Sequence, residues 1–427
     1  MFGKRSFPKA VFCLLTVFSL SGLPARGSDW ETDANLRIDE IRKRDIGIRV
    51  VDEQGEPLPG ARVVLQQKGQ AFPFGAAING ILLRNAQYRE FFKSHFNWAV
   101  FENESKWYSN ERTPGQEDYE VADALFRWCR DNGISVRGHC IFWAPEKWQM
   151  QWVRDLNPED LRSAVQRRLE SVVRRFAGKF VHWDVNNEML HGTFFRDRLG
   201  EDIVPWMFRR ARELDPDVKL FVNEFNVLTV DQDYSEIQLD EYVRHTRSLL
   251  EKGAPIDGIG IQGHVWGEPI ADHPELLKTR LDKVAALGLP IWITEFDVAD
   301  EDEDSNADKL EIVYRTAYSH PSVEGIMTWV FWTESSWRGP NAGLARKDWT
   351  LTEAGSRYES LMAEWSTHAS GTTDRAGVFS CRGFFGDYAV TVSPENAPPV
   401  NRAFTLIPGE GPQTLTIPAG GAEGNNN

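Results

Sequence analysis

The stretch His182-Trp183-Asp184-Val185-Asn186-Asn187-Glu188 decides the fold prediction, because it combines the pattern of a strand with several polar side chains. Side chains alternate along a strand, so Asp184, Asn186 and Glu188 share one face. A strand of a parallel sheet is covered on both faces, and three polar groups there are costly unless they are paired or used. The polar end of this strand therefore marks a candidate functional site.

Seven more short apolar runs recur along the chain, and helical patterns separate them. The eight predicted strands are 74–79, 98–103, 135–143, 182–188, 219–226, 258–265, 291–298 and 325–332. Strands that alternate with helices predict a parallel sheet, and eight such units predict a closed (β/α)8 TIM barrel of the α/β class. The alternative is an open doubly wound sheet. Its dinucleotide-binding form is disfavoured because no G-x-G-x-x-G follows the first strand.

Polar residues also end four of the other predicted strands. They lie within 137–139, 223–226, 262–264 and 294–297. Active sites of (β/α)8 barrels are built at the C-terminal ends of the strands. One polar strand end alone would be explained by a structural hydrogen bond, whereas five together predict an active site.

Two carboxylates stand out in this predicted site. Glu188 ends the fourth strand, and Glu295 lies in the seventh, across the barrel mouth. Two carboxyl groups that flank a bond suit glycoside hydrolysis, in which one is a protonated acid and the other an ionised nucleophile. The spacing alone leaves competing acids, namely Glu102, Glu104, Asp184, Glu224, Asp297 and Glu334.

The motifs around these acids resemble those of glycoside hydrolase family 10, the secreted endo-β-1,4-xylanases. Segment 183–188 is similar to the family strand W-D-V-x-N-E, which implies that Glu188 is the acid/base. Segment 293–297 is similar to the T-E-x-D strand, which implies that Glu295 is the nucleophile. The resemblance covers about residues 72–366, the expected catalytic barrel. It implies a retaining enzyme that cleaves internal β-1,4-xylosidic bonds of xylan or xylo-oligosaccharides by double displacement.

The resemblance also implies the residues that bind the sugar. Segment 102–107 is similar to the family's E-N-x-M-K-W, whose Asn and Lys bind sugar on the non-reducing side of the cut. Asn187 is expected to bind the 2-hydroxyl group, and His264 to hold Glu295 in position. The implied substrate-binding residues are Asn103, Lys106, His139, Trp143, Asn187, Gln262, His264, Trp329 and Trp337. The mechanism needs no metal and no cofactor.

Three departures from the family pattern bear on the substrate. Ala144 follows Trp143 where many members have a histidine, Ser105 replaces a methionine, and Glu224 follows Asn223 where aspartate is commoner. Both carboxylates remain, so the departures put the preferred xylan in question and not the chemistry. Two alternatives stay open: a carbohydrate-binding protein with weak catalysis, and a retaining barrel glycosidase that acts on other β-1,4-glycans.

Composition excludes some partners. The 427 residues carry 63 acidic and 48 basic side chains, a formal net charge of −15, which repels nucleic acid. Four cysteines are too few for a disulfide scaffold, and a Cys129–Cys140 bridge is the alternative to two reduced thiols. The acidic run 300–304 is expected to be a solvated loop, with a calcium site as the alternative. We expect a monomer.

Residues 1–27 predict a secretory signal peptide. Basic residues precede the apolar run 11–20, and the small residues within 25–27 suit cleavage. The apolar run is too short for a stable membrane span. We therefore expect export to the periplasm or the medium, with no membrane contact after removal of the signal. The alternative is an apolar N-terminal helix that packs on the core.

The flanks of the barrel predict a small β-module. Strand and turn patterns occur in the N-terminal flank 28–71 and in the C-terminal flank 370–418, and phrases in both resemble transthyretin-like β-sandwiches. Two or three strands cannot bury a face alone, so we expect residues 45–67 to pair with the C-terminal flank. We expect this all-β, sandwich-like module to clamp the barrel rather than to bind carbohydrate. The Gly- and Asn-rich tail 419–427 is expected to be disordered.

Overall fold

The computed structural model describes residues 30–228, 237–265 and 269–419. Its strands are β1 (Lys43–Val51), β2 (Arg62–Gln70), β3 (Phe74–Ile78), β4 (Trp98–Phe101), β5 (Ser135–Gly138), β6 (Phe142–Trp143), β7 (His182–Asn187), β8 (Lys219–Glu224), β9 (Gly258–Ile261), β10 (His264–Val265), β11 (Ile291–Val298), β12 (Val323–Thr328), β13 (His368–Thr372), β14 (Val378–Phe384), β15 (Gly386–Ser393), β16 (Val400–Leu406) and β17 (Gln413–Pro418). Its helices are α1 (Trp30–Arg42), α2 (Ala86–His95), α3 (Trp107–Asn110), α4 (Glu120–Asp131), α5 (Gln151–Arg154), α6 (Pro158–Phe176), α7 (Phe194–Leu199), α8 (Ile203–Leu214), α9 (Ile237–Glu251), α10 (Pro274–Ala285), α11 (Glu303–Tyr318) and α12 (Glu353–Glu364). The predicted signal peptide 1–27 and residues 420–427 of the predicted tail lie outside the described residues.

Eight parallel strands close into a barrel. Their order around it is β3-β4-β5-β7-β8-β9-β11-β12, and β12 pairs again with β3. Helices connect successive strands, for example α4 between β4 and β5 and α8 between β7 and β8. This architecture confirms the predicted (β/α)8 barrel and excludes the open doubly wound sheet.

Three barrel strands differ markedly from their predicted bounds. The sixth is interrupted after Ile261, and the chain returns to the sheet as β10, which pairs with β11. The third is interrupted after Gly138, and the chain returns to the sheet as β6, which pairs with β7. The eighth extends over Val323–Thr328, so the predicted bounds 325–332 are wrong at both ends. Trp332 instead bridges to Ala345 in the loop beyond the strand. Val330 and Phe331 are as buried as strand residues, so an apolar run alone does not distinguish this loop from a strand.

Large side chains face glycines on neighbouring strands, and this fixes how the strands align. Trp183 on β7 lies opposite Gly138 on β5, and a Cβ atom at position 138 would come within 2.3 Å of its ring. Trp292 on β11 faces Gly325 on β12, where the corresponding distance would be 2.5 Å. A shift in register would drive side chains into these rings, so the pairs stabilise one alignment.

The seven remaining strands form two small sheets from both flanks of the chain. In one sheet, β1 pairs antiparallel with β14 and parallel with β17. In the other, β2 pairs antiparallel with β13 and β15, and β15 pairs with β16. The apolar core that they share consists of Ile46, Ile48, Val50, Ala61, Val63, Leu65, Tyr388, Val390, Val392, Phe404, Leu406, Ile417 and Ala419. Two sheets with one core make a small sandwich.

The N-terminal flank begins with a helix, α1, where the sequence predicts only strands. Its buried residues Ala34 and Ile38 are too few to give a clear apolar periodicity. Its last residue, Arg42, donates to three backbone carbonyl oxygens, among them those of Tyr318 (2.9 Å) and Val323 (2.7 Å). These carbonyls lie between the end of α11 and the first residue of β12, so the flank is attached to the N-terminal end of the barrel.

Three other sequence features have structural explanations. Cys129 and Cys140 are free buried thiols, which excludes a disulfide between them, and burial raises the pKa of Cys129 to about 12. In the acidic run, Asp300 forms an ion pair with Lys309 at 2.7 Å, and the side chain of Asp302 caps α11. Among the described residues, no helix is both long and apolar enough to cross a membrane.

Candidate active site

Glu188 follows directly after β7, at the C-terminal end of the barrel. Its φ of 60° is uncommon for a residue other than glycine, and such a conformation persists only where the surroundings impose it. The backbone N–H of Glu188 donates to the carbonyl oxygen of Asn223 at 3.0 Å. The half-buried carboxyl group accepts from Gln262 Nε2 at 3.1 Å and from Asn187 Nδ2 at 3.4 Å, both at Oε1.

Glu295 lies within β11 and is only 5% exposed. Its Oε1 accepts from Asn223 Nδ2 at 2.7 Å and lies 3.8 Å from His139 Nδ1, while Oε2 lies 3.5 Å from His264 Nε2. Burial by itself raises the pKa of this carboxyl group, but His139, His264 and Lys106 outweigh burial and lower the pKa to about 2. Glu295 is therefore ionised at any pH above that value.

Asn223 on β8 connects the two carboxyl groups. Its Nδ2 donates to Asn187 Oδ1 at 2.9 Å as well as to Glu295, and its Oδ1 accepts from Thr294 Oγ1 at 2.6 Å. The sequence places Asn223 at a polar strand end, within 223–226, but does not predict it as a catalytic or substrate-binding residue. The signal that identifies it is its alignment with Asn187 in the register of β7 and β8, which only the structure shows.

Both carboxylate oxygens of Asp184 contact cationic or polar side chains inside the barrel. One of its oxygens forms a buried ion pair with Arg137, and the other lies 2.8 Å from His139 Nδ1. His139 therefore stands between Asp184 and Glu295. Asp184 is fully buried and has both oxygens occupied, so it is not available to react with a ligand.

A second charged cluster lies behind Glu295. Asp297 Oδ1 lies 2.9 Å from His264 Nδ1 and 2.6 Å from a guanidinium nitrogen of Arg338, and its Oδ2 accepts from Trp337 Nε1 at 2.9 Å. Burial lowers the pKa of His264, but Asp297 and Glu295 outweigh burial and raise it to about 10. His264 is thus an imidazolium beside Glu295. The sequence does not single out Arg338, although it directly follows Trp337.

Three other competing acids pair with groups in the loops around the barrel mouth. Glu102 accepts from the side chain of Asn79 at 2.8 Å, and Glu104 accepts from the backbone N–H of Gly80 at 2.7 Å. Glu334 forms an ion pair with a surface lysine at 2.9 Å. These three acids therefore lie outside the set of hydrogen bonds that joins Glu188 to Glu295 through Asn187 and Asn223.

Lys106 and three tryptophans line one side of the site. The ammonium group of Lys106 lies 4.5 Å from the ring centre of Trp143 and 5.8 Å from that of Trp329. Trp143 stacks on Trp148, with ring centres 4.6 Å apart and planes at 12°. Trp148 and Trp337 are 43% and 50% exposed, so each offers a ring surface to a ligand.

Three further residues have different environments. Asn103 accepts from the hydroxyl of Tyr108 at 2.6 Å and from Lys106 at 3.5 Å, which orients its amide. Trp152 is partly buried and packs edge-on against Trp107 at the edge of the hydrophobic core. Ala144, which replaces a family histidine, is buried and carries only a methyl group there.

Fold and site together define a glycoside hydrolase built on a (β/α)8 barrel. The chain belongs to glycosyl hydrolase family 10, whose model matches residues 62–353.

Three curated relatives illustrate this membership. Anti-sigma-I factor RsgI6 of Acetivibrio thermocellus is 50% identical over 389 residues, which are 91% of this chain and 50% of that protein. Endo-1,4-beta-xylanase 1 of Arabidopsis thaliana is 40% identical over 89% of this chain and 39% of its own length. Beta-1,4-xylanase of Dictyoglomus thermophilum is 30% identical over 67% of this chain and 83% of its own length. The chain thus spans half or less of the first two relatives.

The fold also matches solved structures. Xylanase 10B from Thermotoga petrophila RKU-1, in complex with xylobiose, superposes with a TM-score of 0.61 and 22% identity over 69% of this chain and 94% of that chain. Xylanase XynB from Paenibacillus barcinonensis, complexed with a conduramine derivative, gives a TM-score of 0.59 at 22% identity over 67% and 95%. At this level of identity the likeness establishes the fold.

Proposed function

We propose that the protein is a retaining endo-β-1,4-xylanase, with Glu295 as the nucleophile and Glu188 as the acid/base. The observation that carries this proposal is the pair itself. Glu295 is buried, ionised and surrounded by cationic partners, and Asn223 and Asn187 connect it to the half-buried Glu188. The xylanase relatives, and the neighbour with bound xylobiose, support xylan as the substrate.

The chemistry follows from these positions. Glu295 attacks the anomeric carbon while Glu188 donates a proton to the departing glycosidic oxygen, which leaves a covalent glycosyl–enzyme ester. Glu188, now a carboxylate, then takes a proton from water, and the water displaces Glu295. Lys106, His139 and His264 hold Glu295 ionised for the first step. Asn187 donates to Glu188 and is linked to Glu295 through Asn223, and its amide can bind the sugar 2-hydroxyl in the transition state.

We assign the remaining predicted residues to the sugar-binding cleft. Asn103, Lys106 and His139 supply polar groups for ring hydroxyls, and Gln262 orients Glu188. The tryptophans Trp143, Trp329 and Trp337 supply apolar contact to sugar faces. Trp337 is the most exposed of the three, and its indole N–H is held by Asp297, so its orientation is fixed.

The test is proton NMR of the purified protein acting on xylohexaose, recorded before mutarotation. We expect the new reducing ends to appear first as the β-anomer, because double displacement retains configuration. First appearance of the α-anomer would mean inversion and would remove the nucleophile assignment from Glu295. Cellohexaose in a parallel reaction separates a xylanase from a glycosidase of other β-1,4-glycans, and no cleavage of either would favour a binding protein.

We also propose that the protein is exported and monomeric. The basic and apolar pattern of residues 1–27 supports export. N-terminal sequencing of the protein recovered from a secreting host is expected to begin at Ser28, and an N-terminus at Met1 would contradict export. Light scattering of the purified protein is expected to give the mass of one chain.

A further inference from the structure

Glu224 is a buried carboxylate that the proposed chemistry does not use. It ends β8 next to Asn223, and its side chain is 1% exposed. Its Oε2 accepts the backbone N–H of Leu190 at 2.9 Å, and its Oε1 lies 2.6 Å from His191 Nδ1. Both residues belong to the loop that follows Glu188. The carboxylate of Glu224, at the end of β8, therefore holds the loop that follows the neighbouring strand β7.

His191 is fixed in one protonation pattern by its other neighbours. Gln238 Nε2 donates to the carbonyl oxygen of Phe225 at 2.7 Å and lies 3.0 Å from His191 Nε2. An amide nitrogen can only donate, so His191 Nε2 accepts and its Nδ1 carries the proton that goes to Glu224. The imidazole also stacks on Phe225, with ring centres 3.6 Å apart.

Strand β8 also holds the backbone N–H of Glu188, through Asn223. The carbonyl oxygen of Asn223 accepts the N–H of Glu188, and the carboxylate of Glu224 accepts the N–H of Leu190. These hydrogen bonds fix the peptide unit that precedes the Cα atom of Glu188, whose φ is 60°, and the peptide unit between Met189 and Leu190. The direction of the Glu188 side chain depends on this backbone, because a rotation of φ there would swing the carboxyl group out of the site.

We propose that Glu224 and His191 form a positioning pair that aims the carboxyl group of Glu188 at the glycosidic oxygen. The inference rests on the proposed function of Glu188 as the acid/base. Loss of the pair harms proton donation and leaves the nucleophile Glu295 in place. The harm is greatest for a basic leaving group, because a group that departs as a stable anion needs no proton in the transition state.

The test compares two substrates in the Glu224→Gln variant. Glutamine supplies only one acceptor oxygen, and we expect it to take the place of Oε1, which accepts from both His191 and the backbone N–H of Phe225. Its N–H₂ group then faces the N–H of Leu190, so the hydrogen bond that holds the loop after Glu188 is lost. We expect kcat/KM for phenyl β-xylobioside to fall about 10- to 100-fold, part of the contribution of a general acid, and kcat/KM for 2,4-dinitrophenyl β-xylobioside to change less than about threefold. The His191→Phe variant keeps the stacking on Phe225 and is expected to show the same selectivity. It provides a second test of the pair if the Glu224 variant fails to fold.

Glu111→Gln is the matched control. Glu111 is also buried and accepts one side-chain and one backbone N–H, from Trp107 Nε1 and Gly115 at 2.8 Å each, but it has no contact with the Glu188 loop. Its loss is expected to affect both substrates equally. Equal losses in the Glu224 and His191 variants would overturn the positioning role. Failure of the wild-type protein to cleave either xylobioside would instead overturn the proposed function.

Discussion

Glu295 depends on its neighbours for its charge, because burial alone would favour the neutral acid. Lys106, His139 and His264 reverse that preference and lower the pKa to about 2. His264 in turn is kept protonated by Asp297 and Glu295, which raise its pKa to about 10 against the effect of burial. The nucleophile is thus prepared by a cluster of mutually stabilised charges, and each member can be tested separately.

Replacing His264 with asparagine should move the acidic limb of activity. The pKa of Glu295 rises when this cation is lost, so the carboxylate is protonated at a higher pH and kcat/KM falls earlier as the pH decreases. The measurement is the pH profile of kcat/KM for 2,4-dinitrophenyl β-xylobioside. His320→Asn is the control, since His320 pairs with Asp282 outside the site. An unchanged acidic limb in the His264 variant would contradict this account.

The same charges set how stability varies with pH. Glu295 has a lowered pKa in the folded protein, so its contribution is present above its ordinary pKa of 4.5 and is lost as the pH falls toward about 2. His264 has a raised pKa, so its contribution is complete below 6.5 and is lost as the pH rises through about 10. We expect the melting temperature to fall less between pH 7 and 10 in the His264→Asn variant than in the wild type. Parallel curves would refute the assignment.

Asn223→Ala should weaken catalysis without a change in the carboxylates. Its amide donates to Glu295, and a hydrogen bond to a charged group is worth about 1.5–3 kcal/mol, or roughly 10- to 100-fold in kcat/KM. Steady-state kinetics on xylohexaose measure the loss. Thr294→Val removes only the hydrogen bond that orients Asn223, so a smaller loss is expected. A larger loss in the Thr294 variant would contradict the direct role of Asn223.

The strands of the barrel are held in register by pairs of tryptophan and glycine. Gly138→Ala places a Cβ atom 2.3 Å from the ring of Trp183, and such overpacking costs about 1–3 kcal/mol of unfolding free energy. Thermal and denaturant unfolding measure the loss. Gly69→Ala on β2 is the control, because its nearest neighbour atom lies at an ordinary 3.7 Å. Equal stability of the two variants would mean that the barrel adjusts at position 138.

Some elements could be predicted from the sequence and others could not. The barrel strands were accessible because each is a short apolar run between helices, and Glu188 and Glu295 because they sit in recognisable strand motifs. Helix α1 buries little apolar surface, and β13 has small and polar residues held by pairing with β2, so neither has a sequence pattern. The links through Asn223 and Glu224 depend on contacts between strands, which a sequence does not display.

The whole molecule is held together at its flanks. Strands β1 and β2 precede the barrel in the chain, and their partners β13 to β17 follow it. Both sets contribute to one apolar core, so neither can bury its apolar face without the other. Arg42 adds hydrogen bonds from the flank to the barrel. These contacts support a clamp as the role of the sandwich.

Truncation after Ser366 should destabilise the protein although every barrel strand remains. The variant exposes side chains of β1 and β2 worth about 1.5–3 kcal/mol each, and at roughly 2–4 °C per kcal/mol the melting temperature should fall by about 10 °C or more. Removal of residues 420–427 alone is the control and should leave it unchanged. Calorimetry measures both. A truncated protein that melts and cleaves xylan like the wild type would argue against a clamp.

The placement of the sandwich determines how the molecule can be immobilised. The sandwich attaches at the N-terminal end of the barrel, whereas Glu188 and Glu295 lie toward the opposite end. A thiol introduced at the exposed Arg402 of β16 would couple the protein to a bead through that module. Cys129 and Cys140 are buried, and burial raises the pKa of both, so they would not compete. The half-buried thiol of Cys381 on β14 would first be replaced by serine. Each molecule on the support would then turn its cleft outward, toward an insoluble polymer.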